Sequence, residues 1–227
     1  MTTPVVLCGS LGSTAAMWEP QRAALGARDV VVVEHPGHGG APVDDVPDMA
    51  ALAARVLAAV AGPFSFVGLS LGGAVGMHLA VTAPERVERL VLACSSPRFG
   101  EPAGWHERAA TVRAEGLEAI VDAVLGRWFT PAFEEVARYR AMFVSVDREG
   151  YARCCEALAG WEGEELERIA APTLVVAGAV DPTSPPEHAR AIAARIRGAR
   201  VAVLEGAAHL ANVERAEEFN RLLEEAL

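Results

Sequence analysis

Short, unbroken apolar runs alternate with alanine-rich stretches along the first half of the chain. Residues 4–8 and 29–34 predict strands, the second carrying four consecutive valines at 30–33. Runs that are apolar on both faces mark strands of a parallel sheet covered by helices on either side. Residues 49–61 predict a helix after the acidic, proline-bearing turn at 44–48. Residues 64–69 predict a third strand, 71–83 a helix stopped by Pro84, and 89–94 a fourth strand. The pattern then changes. From about 97 to 168 there is no β-type run, and this charged, helical stretch holds nine of the thirteen aromatic residues. After Ala171-Pro172 the rhythm resumes with a strand at 173–177, a helix at 186–196, a strand at 200–204 and a final helix from Val213. The expected fold is an α/β core of about six mainly parallel strands in the order 2-1-3-4-5-6, formed by residues 1–97 and 169–227. Residues 98–168 are expected to form a helical lid over the sheet's carboxyl edge, where ligands bind in open α/β folds.

Composition narrows the function. A chain of 227 residues can bury a large core without disulfides or a structural metal. Thirty acidic residues face twenty basic ones, all arginine, for a net charge of −10. Without a basic cluster such a chain repels phosphate backbones, so no nucleic-acid partner is expected. No apolar run approaches the roughly 18 residues of a membrane span, so no membrane association is expected either. The opening Met1-Thr2-Thr3-Pro4 resembles neither a signal nor a transit peptide, which makes a cytoplasmic location the expectation. Cys8, Cys94, Cys154 and Cys155 lack zinc-site spacing and are expected to be free thiols. Nothing in the sequence implies a metal or an organic cofactor.

The chemistry concentrates at strand ends. Gly68-Leu69-Ser70-Leu71-Gly72 lies where the third strand meets its helix, the context of a Gly-x-Ser-x-Gly nucleophile elbow. Small neighbours two before and two after let a strained turn lift the serine hydroxyl above the sheet. The helix N-terminus there favours developing negative charge. Serine needs a base. Of six histidines, His209 follows the last strand in Gly206-Ala207-Ala208-His209. His78 lies two turns into the elbow helix, His188 opens a surface helix, His106 falls in the insertion, and His35 and His38 occupy the loop after strand two. Asp181 is the carboxylate of the loop after strand five, and the order Ser70, Asp181, His209 is that of α/β-hydrolases. An oxyanion hole requires two backbone N–H groups. Leu71 supplies one, and Leu11, with Ser10 second, supplies the other from the Cys8-Gly9-Ser10-Leu11-Gly12 loop.

Over nearly its whole length the chain resembles the 3-oxoadipate enol-lactonases of the α/β-hydrolase superfamily. The resemblance rests on Gly9–Ser13 with Met17-Trp18, His35-Pro36-Gly37-His38-Gly39, Phe66–Gly73, Arg127-Trp128-Phe129-Thr130-Pro131, Tyr151-Ala152-Arg153-Cys154-Cys155 and Ala208–Asn212. It implies an α/β-hydrolase fold and attack by Ser70 on the carbonyl of a small anionic lactone. His209 would take the proton, and water would cleave the acyl-enzyme. It places Trp128 beside the ring. An arginine should meet the substrate carboxylate, with Arg127, Arg138 and Arg153 as candidates.

Two departures stand out. Family members usually carry an N-terminal hairpin that is missing here, leaving the valine-rich strand as an apolar edge through which self-association is expected. Pro36 also stands where an arginine is common in the family. The alternatives are a carboxylesterase or lactonase acting on another small substrate, and a non-catalytic ligand-binding relative.

Overall fold

The computed structural model describes residues 3–227, so the reading of Met1 and Thr2 lies outside the described residues. In chain order the elements are β1 (Val5–Cys8), α1 (Glu19–Leu25), β2 (Val30–Val33), α2 (Met49–Ala59), β3 (Phe64–Leu69), α3 (Leu71–Thr82) and β4 (Val87–Ala93). Four helices follow before the next strand: α4 (Pro102–Glu115), α5 (Val121–Trp128), α6 (Val136–Val144) and α7 (Arg148–Ala159). The chain closes with β5 (Thr173–Gly178), α8 (Pro186–Arg195), β6 (Arg200–Leu204), α9 (Ala211–Glu214) and α10 (Ala216–Ala226). No helix among the described residues is long and apolar enough to cross a membrane.

The six strands form one sheet in the order β2-β1-β3-β4-β5-β6, every pairing parallel. Position in the sheet explains the sequence of each strand. β1, β3 and β5 are buried at every residue, and β4 at all but Glu88 and Arg89, because helices cover both faces. The edge strands differ: the four valines of β2 are half-buried, and β6 begins exposed at Arg200 and Val201. β2 pairs with β1 alone.

Strand order reverses between β1 and β3, which lie side by side although β2 separates them in sequence. That switch opens a crevice beyond the strands' carboxyl ends. The loops after β1, β3, β5 and β6 all leave the sheet at that edge.

Most boundaries shift by one or two residues from the sequence expectation, and three of the differences have a structural cause or consequence. β4 begins at Val87, two residues early, because Val87 pairs with Phe64 before a register shift in β3. The elbow helix stops at Thr82. The single final helix from Val213 is two helices, broken at Arg215, whose Nε donates to the Glu205 carbonyl (2.8 Å). The break lets Ala211 and Asn212 face the core and then turns α10 so that Phe219 and Leu223 do the same. A buried amide cluster secures this end: Asn212 donates to Met17 O (2.9 Å) and Gln21 Oε1 (3.0 Å), while Gln21 donates to Asn212 O and Asn220 Oδ1 (both 2.9 Å).

The segment between β4 and β5 contains no strand. Its aromatic residues pack on one another. Phe129 stacks on Phe133 at 4.3 Å between centroids, and Phe143 meets Trp128 and Tyr151 edge-on at 5.6 Å each. These rings give the segment an apolar interior of its own and turn Trp128 and Tyr151 toward the crevice. All four cysteines are free and buried, and burial pushes the Cys8 and Cys155 thiols up to about 12.

Candidate active site

Ser70 caps α3 with φ 57° and ψ −113°, a backbone conformation that costs a non-glycine residue strain. Several bonds hold it there. The Ser70 N–H donates to Ala93 O (2.9 Å), and the Ser70 carbonyl accepts from the Ser95 hydroxyl (2.9 Å) and the Ala74 N–H (3.1 Å). The flanking glycines are required by contact. A Cβ on Gly68 would overlap the Gly72 carbonyl, and one on Gly72 would overlap the carbonyl of Cys8. The second contact matters for chemistry. It lets the elbow lie directly against the loop after β1, where the Gly72 N–H donates to Gly9 O (3.0 Å).

Ser10 and Leu11 of that loop line one narrow cavity with Ser70 and His209. Among the described residues, neither the Leu11 nor the Leu71 N–H donates to a protein acceptor, so both remain open to a ligand oxygen. The loop is gripped from both ends by two buried histidines of the loop after β2. His35 Nε2 lies 2.8 Å from Gly9 O, and the Gly12 N–H donates to His38 Nε2 (3.0 Å) while His38 Nδ1 meets Pro36 O at 2.8 Å. These bonds assign a donor nitrogen to His35 and an acceptor nitrogen to His38. The acceptor role requires the His38 ring to be neutral. Burial brings His35 down to about 4 and His38 to about 3, the latter helped by the neighbouring His35.

The unfolded chain protonates these histidines near pH 6.5, whereas the folded protein does not until pH 3–4. The stability they contribute is thus complete above about pH 6.5 and is lost as pH falls through that window. We expect His38→Ala to lower kcat for an ester substrate about ten- to a hundredfold with little change in KM. His38→Gln, whose Oε1 can accept where Nε2 does, should recover most of it. Equal losses in the two variants would count against this positioning role.

On the opposite side, His209 Nδ1 donates to Asp181 Oδ2 (2.8 Å), with both side chains buried. Asp181 is saturated. Oδ2 also accepts from the Ser184 hydroxyl (2.8 Å), and Oδ1 accepts the N–H groups of Thr183 (2.7 Å) and Ser184 (3.1 Å). Burial pushes the Asp181 carboxyl up, but the charge and hydrogen bond of His209, with those of Ser184 and Thr183, more than reverse this and hold it below its usual range. The His209 loop is tied to the helical segment. Glu214 accepts from the Ala208 N–H (2.6 Å), the Thr130 N–H (2.8 Å) and the Thr130 hydroxyl (2.7 Å), and the Leu210 N–H donates to Trp128 O (3.0 Å).

The helical segment supplies the remaining wall, including Trp105, Arg108, Arg127, Trp128 and Tyr151. The cavity is narrow, about 40 Å³, room for roughly one or two waters. A ring-sized ligand therefore enters only when side chains of α4, α5 and α7 give way. Larger clefts of about 800 and 740 Å³ lie elsewhere on the surface and contain neither Ser70 nor His209.

Of the expected substrate-binding residues, Ser10, Trp128 and Arg127 line this cavity. Arg153 and Arg138 do not. Arg153 is drawn outward by Glu149 (3.0 Å) and Asp45 (3.4 Å), and Arg138 is bound to Glu19 and lies over Tyr139. Arg108 takes a place there that no motif marked. His78, half-buried on α3, faces the Asp48 side, and His106 is exposed. Ser184 was also unforeseen, although a serine three residues after a loop aspartate is a familiar turn pattern.

Residues 5–222 match the model of the alpha/beta hydrolase family. A 3-oxoadipate enol-lactonase of Acinetobacter baylyi is 34% identical over 97% of this chain and 86% of its own length. Among solved structures, the enol-lactonase from Burkholderia xenovorans LB400 superposes with a TM-score of 0.94 at 35% identity, covering 99% of this chain and 91% of that one. A hydrolase from Pseudomonas aeruginosa PA01 gives 0.92 at 39% identity, covering 98% and 88%.

Proposed function

The chain belongs to the alpha/beta hydrolase family and is a hydrolase of ester bonds; from that premise we propose that it opens the enol-lactone of 3-oxoadipate through a Ser70–His209–Asp181 triad. One observation carries the triad: a serine on a strained strand-to-helix turn shares a buried cavity with a histidine whose far nitrogen is bound to a saturated carboxylate. The lactone assignment rests on likeness to enol-lactonases along almost the entire chain.

In this reading Ser70 Oγ attacks the ring carbonyl while His209 Nε2 takes its proton. Negative charge on the carbonyl oxygen is held by the Leu11 and Leu71 N–H groups, which need no reorganisation to meet it. Asp181 keeps the His209 Nδ1–H pointed inward, leaving Nε2 as the acceptor, and stabilises the imidazolium that forms. The ring C–O bond then breaks. The leaving enolate is a stable anion, so protonation of the leaving group demands less of His209 than an amide would. Water, deprotonated by His209, cleaves the acyl-enzyme and frees Ser70 and the open-chain acid. Trp128 provides a flat wall for the planar ring, with Ser10 beside it. The helical segment acts as a lid over a cavity with room for only about one or two waters, which substrate displaces.

The test is disappearance of enol-lactone absorbance compared with turnover of saturated lactones and p-nitrophenyl esters. The proposal expects kcat/KM for the enol-lactone to exceed the others by at least about a hundredfold. Equal or greater values for a simple ester would leave the hydrolase in place and move its substrate elsewhere.

A further inference from the structure

The backbone on either side of His209 is hung from the helical segment. The Ala208 N–H donates to Glu214 Oε2 (2.6 Å), and the Leu210 N–H donates to Trp128 O (3.0 Å). Glu214 closes the circuit, since its Oε1 accepts from the N–H (2.8 Å) and the hydroxyl (2.7 Å) of Thr130, two residues beyond Trp128. On the other side the Ala207 carbonyl accepts from the Val180 N–H (3.1 Å), beside Asp181. His209 therefore sits between two supports: the Asp181 loop at the sheet edge and the Trp128–Thr130 corner where α5 ends.

Glu214 is used differently from the acids around it. Glu149, Glu156 and Glu167 answer arginines, whereas Glu214 makes no ion pair among the described residues. Even the adjacent Arg215 donates instead to Glu205 O (2.8 Å). Both Glu214 oxygens are given to uncharged donors, and hydrogen bonds to a carboxylate are roughly twice as strong as those between neutral groups. Local secondary structure requires none of these bonds, two of which reach across 84 residues to Thr130.

The position of this clamp has a consequence for entry. Side chains over the cavity of about 40 Å³ must give way to a ring-sized ligand. Movement of the Trp128–Thr130 corner would drag the backbone of His209 with it. Movement of α4, which lines the same cavity through Trp105 and Arg108, would not, because no hydrogen bond among the described residues ties α4 to the His209 loop. A shift of about 1 Å in a reacting group can cost on the order of a hundredfold in rate.

We propose that Glu214 is a positioning residue for the reaction: it fastens His209 to the Trp128–Thr130 corner, so that the base is aligned on Ser70 only while that corner is seated. Glu214 does not line the cavity and acts through the Ala208–His209 backbone. The inference rests on the proposed reading of His209 as the base.

The experiment is hydrolysis of p-nitrophenyl butyrate, with kcat expressed per Ser70 that a fluorophosphonate labels at completion. That normalisation removes any loss due to unfolded protein. Glu214→Ala should lower kcat per site by about thirty- to a hundredfold and leave KM within about threefold. Glu214→Gln should recover most of the loss. Its amide oxygen can take the Ala208 N–H while its amide hydrogens meet the Thr130 hydroxyl, which also accepts. Thr130→Val, which removes only the hydroxyl donor, should lower kcat by about three- to tenfold in wild type and cause no further loss in Glu214→Ala. Should alanine at 214 prevent folding, the same cycle is run with Glu214→Gln and Thr130→Val. An unchanged kcat per labelled site, a loss confined to KM, or losses that multiply independently would each overturn the positioning role. His209→Gln separates this from the underlying reading. If it leaves turnover intact, the base is misassigned; if it abolishes turnover while the Glu214 variants stay fast, only the positioning role falls.

Discussion

Replacing Ser70 with alanine is expected to reduce kcat toward the enol-lactone, or toward any ester the protein turns over, by at least about three orders of magnitude. The backbone strain at residue 70 belongs to the turn and to the bonds from Ser95 and Ala74, none of which uses the serine hydroxyl. Alanine leaves those bonds, and the cavity walls, in place. Substrate binding should accordingly stay within a few-fold of wild type, and thermal stability should change little. The loss then falls on the chemical step, because the other aliphatic hydroxyls lining the cavity, those of Ser10 and Thr183, lie on other loops and not at the strand-to-helix turn. Residual turnover would come from the Leu11 and Leu71 N–H groups acting on water attack. Steady-state kinetics with and without prior fluorophosphonate labelling measures this. Wild type should lose activity in step with one label per chain, and the variant should take up none. Turnover within tenfold of wild type would eliminate Ser70 as the nucleophile.

Asp181→Asn should lower kcat by about three to four orders of magnitude while sparing the fold. The reason is donor arithmetic. The Asp181 carboxylate accepts four hydrogen bonds, from His209 Nδ1, the Ser184 hydroxyl and the N–H groups of Thr183 and Ser184. An asparagine has one oxygen for those donors and presents its amide hydrogens to the rest. If the oxygen stays with the backbone N–H groups, the amide nitrogen faces His209 and favours the tautomer protonated on Nε2. That tautomer cannot take a proton from Ser70. Leaving buried donors unmatched should also cost about 1–3 kcal/mol of stability, read as a lowered midpoint in urea. Ser184→Ala removes one donor without disturbing the tautomer, so its kcat should fall far less, by about tenfold. A small effect of Asp181→Asn on kcat would mean that His209 is oriented by something other than this carboxylate.

The distribution of these residues explains why much of the molecule was legible from its sequence. β1, β3 and β5 are buried on both faces, so their sequences are apolar but for Ser65 and Thr173 and carry their own identity. Ser70, Asp181 and His209 each sit within a few residues of a strand end and are marked by local glycine and turn chemistry. Parallel strand order places those ends on one edge of the sheet. The break at Arg215 was illegible because α9 and α10 follow the same composition, and only the need to bury two faces in different directions divides them. His35 and His38 were readable as loop histidines but not as holders of the Gly9–Gly12 loop, since those bonds cross 26 residues of chain.

The arginines draw the line most clearly. Arg108, Arg127, Arg138 and Arg153 look alike as sequence: each lies on a helix of the same segment with acids nearby. Which of them faces Ser70 depends on how α4, α5, α6 and α7 are rotated when Trp128, Phe129, Phe143 and Tyr151 find their packing partners. Sequence by itself determined the sheet, its order and the candidate groups at its edge, because periodicity and turn chemistry act over a few residues. Only the tertiary structure decided which cations are spent on Glu149, Glu156 and Glu19 and which line the cavity, because a contact depends on distances through space.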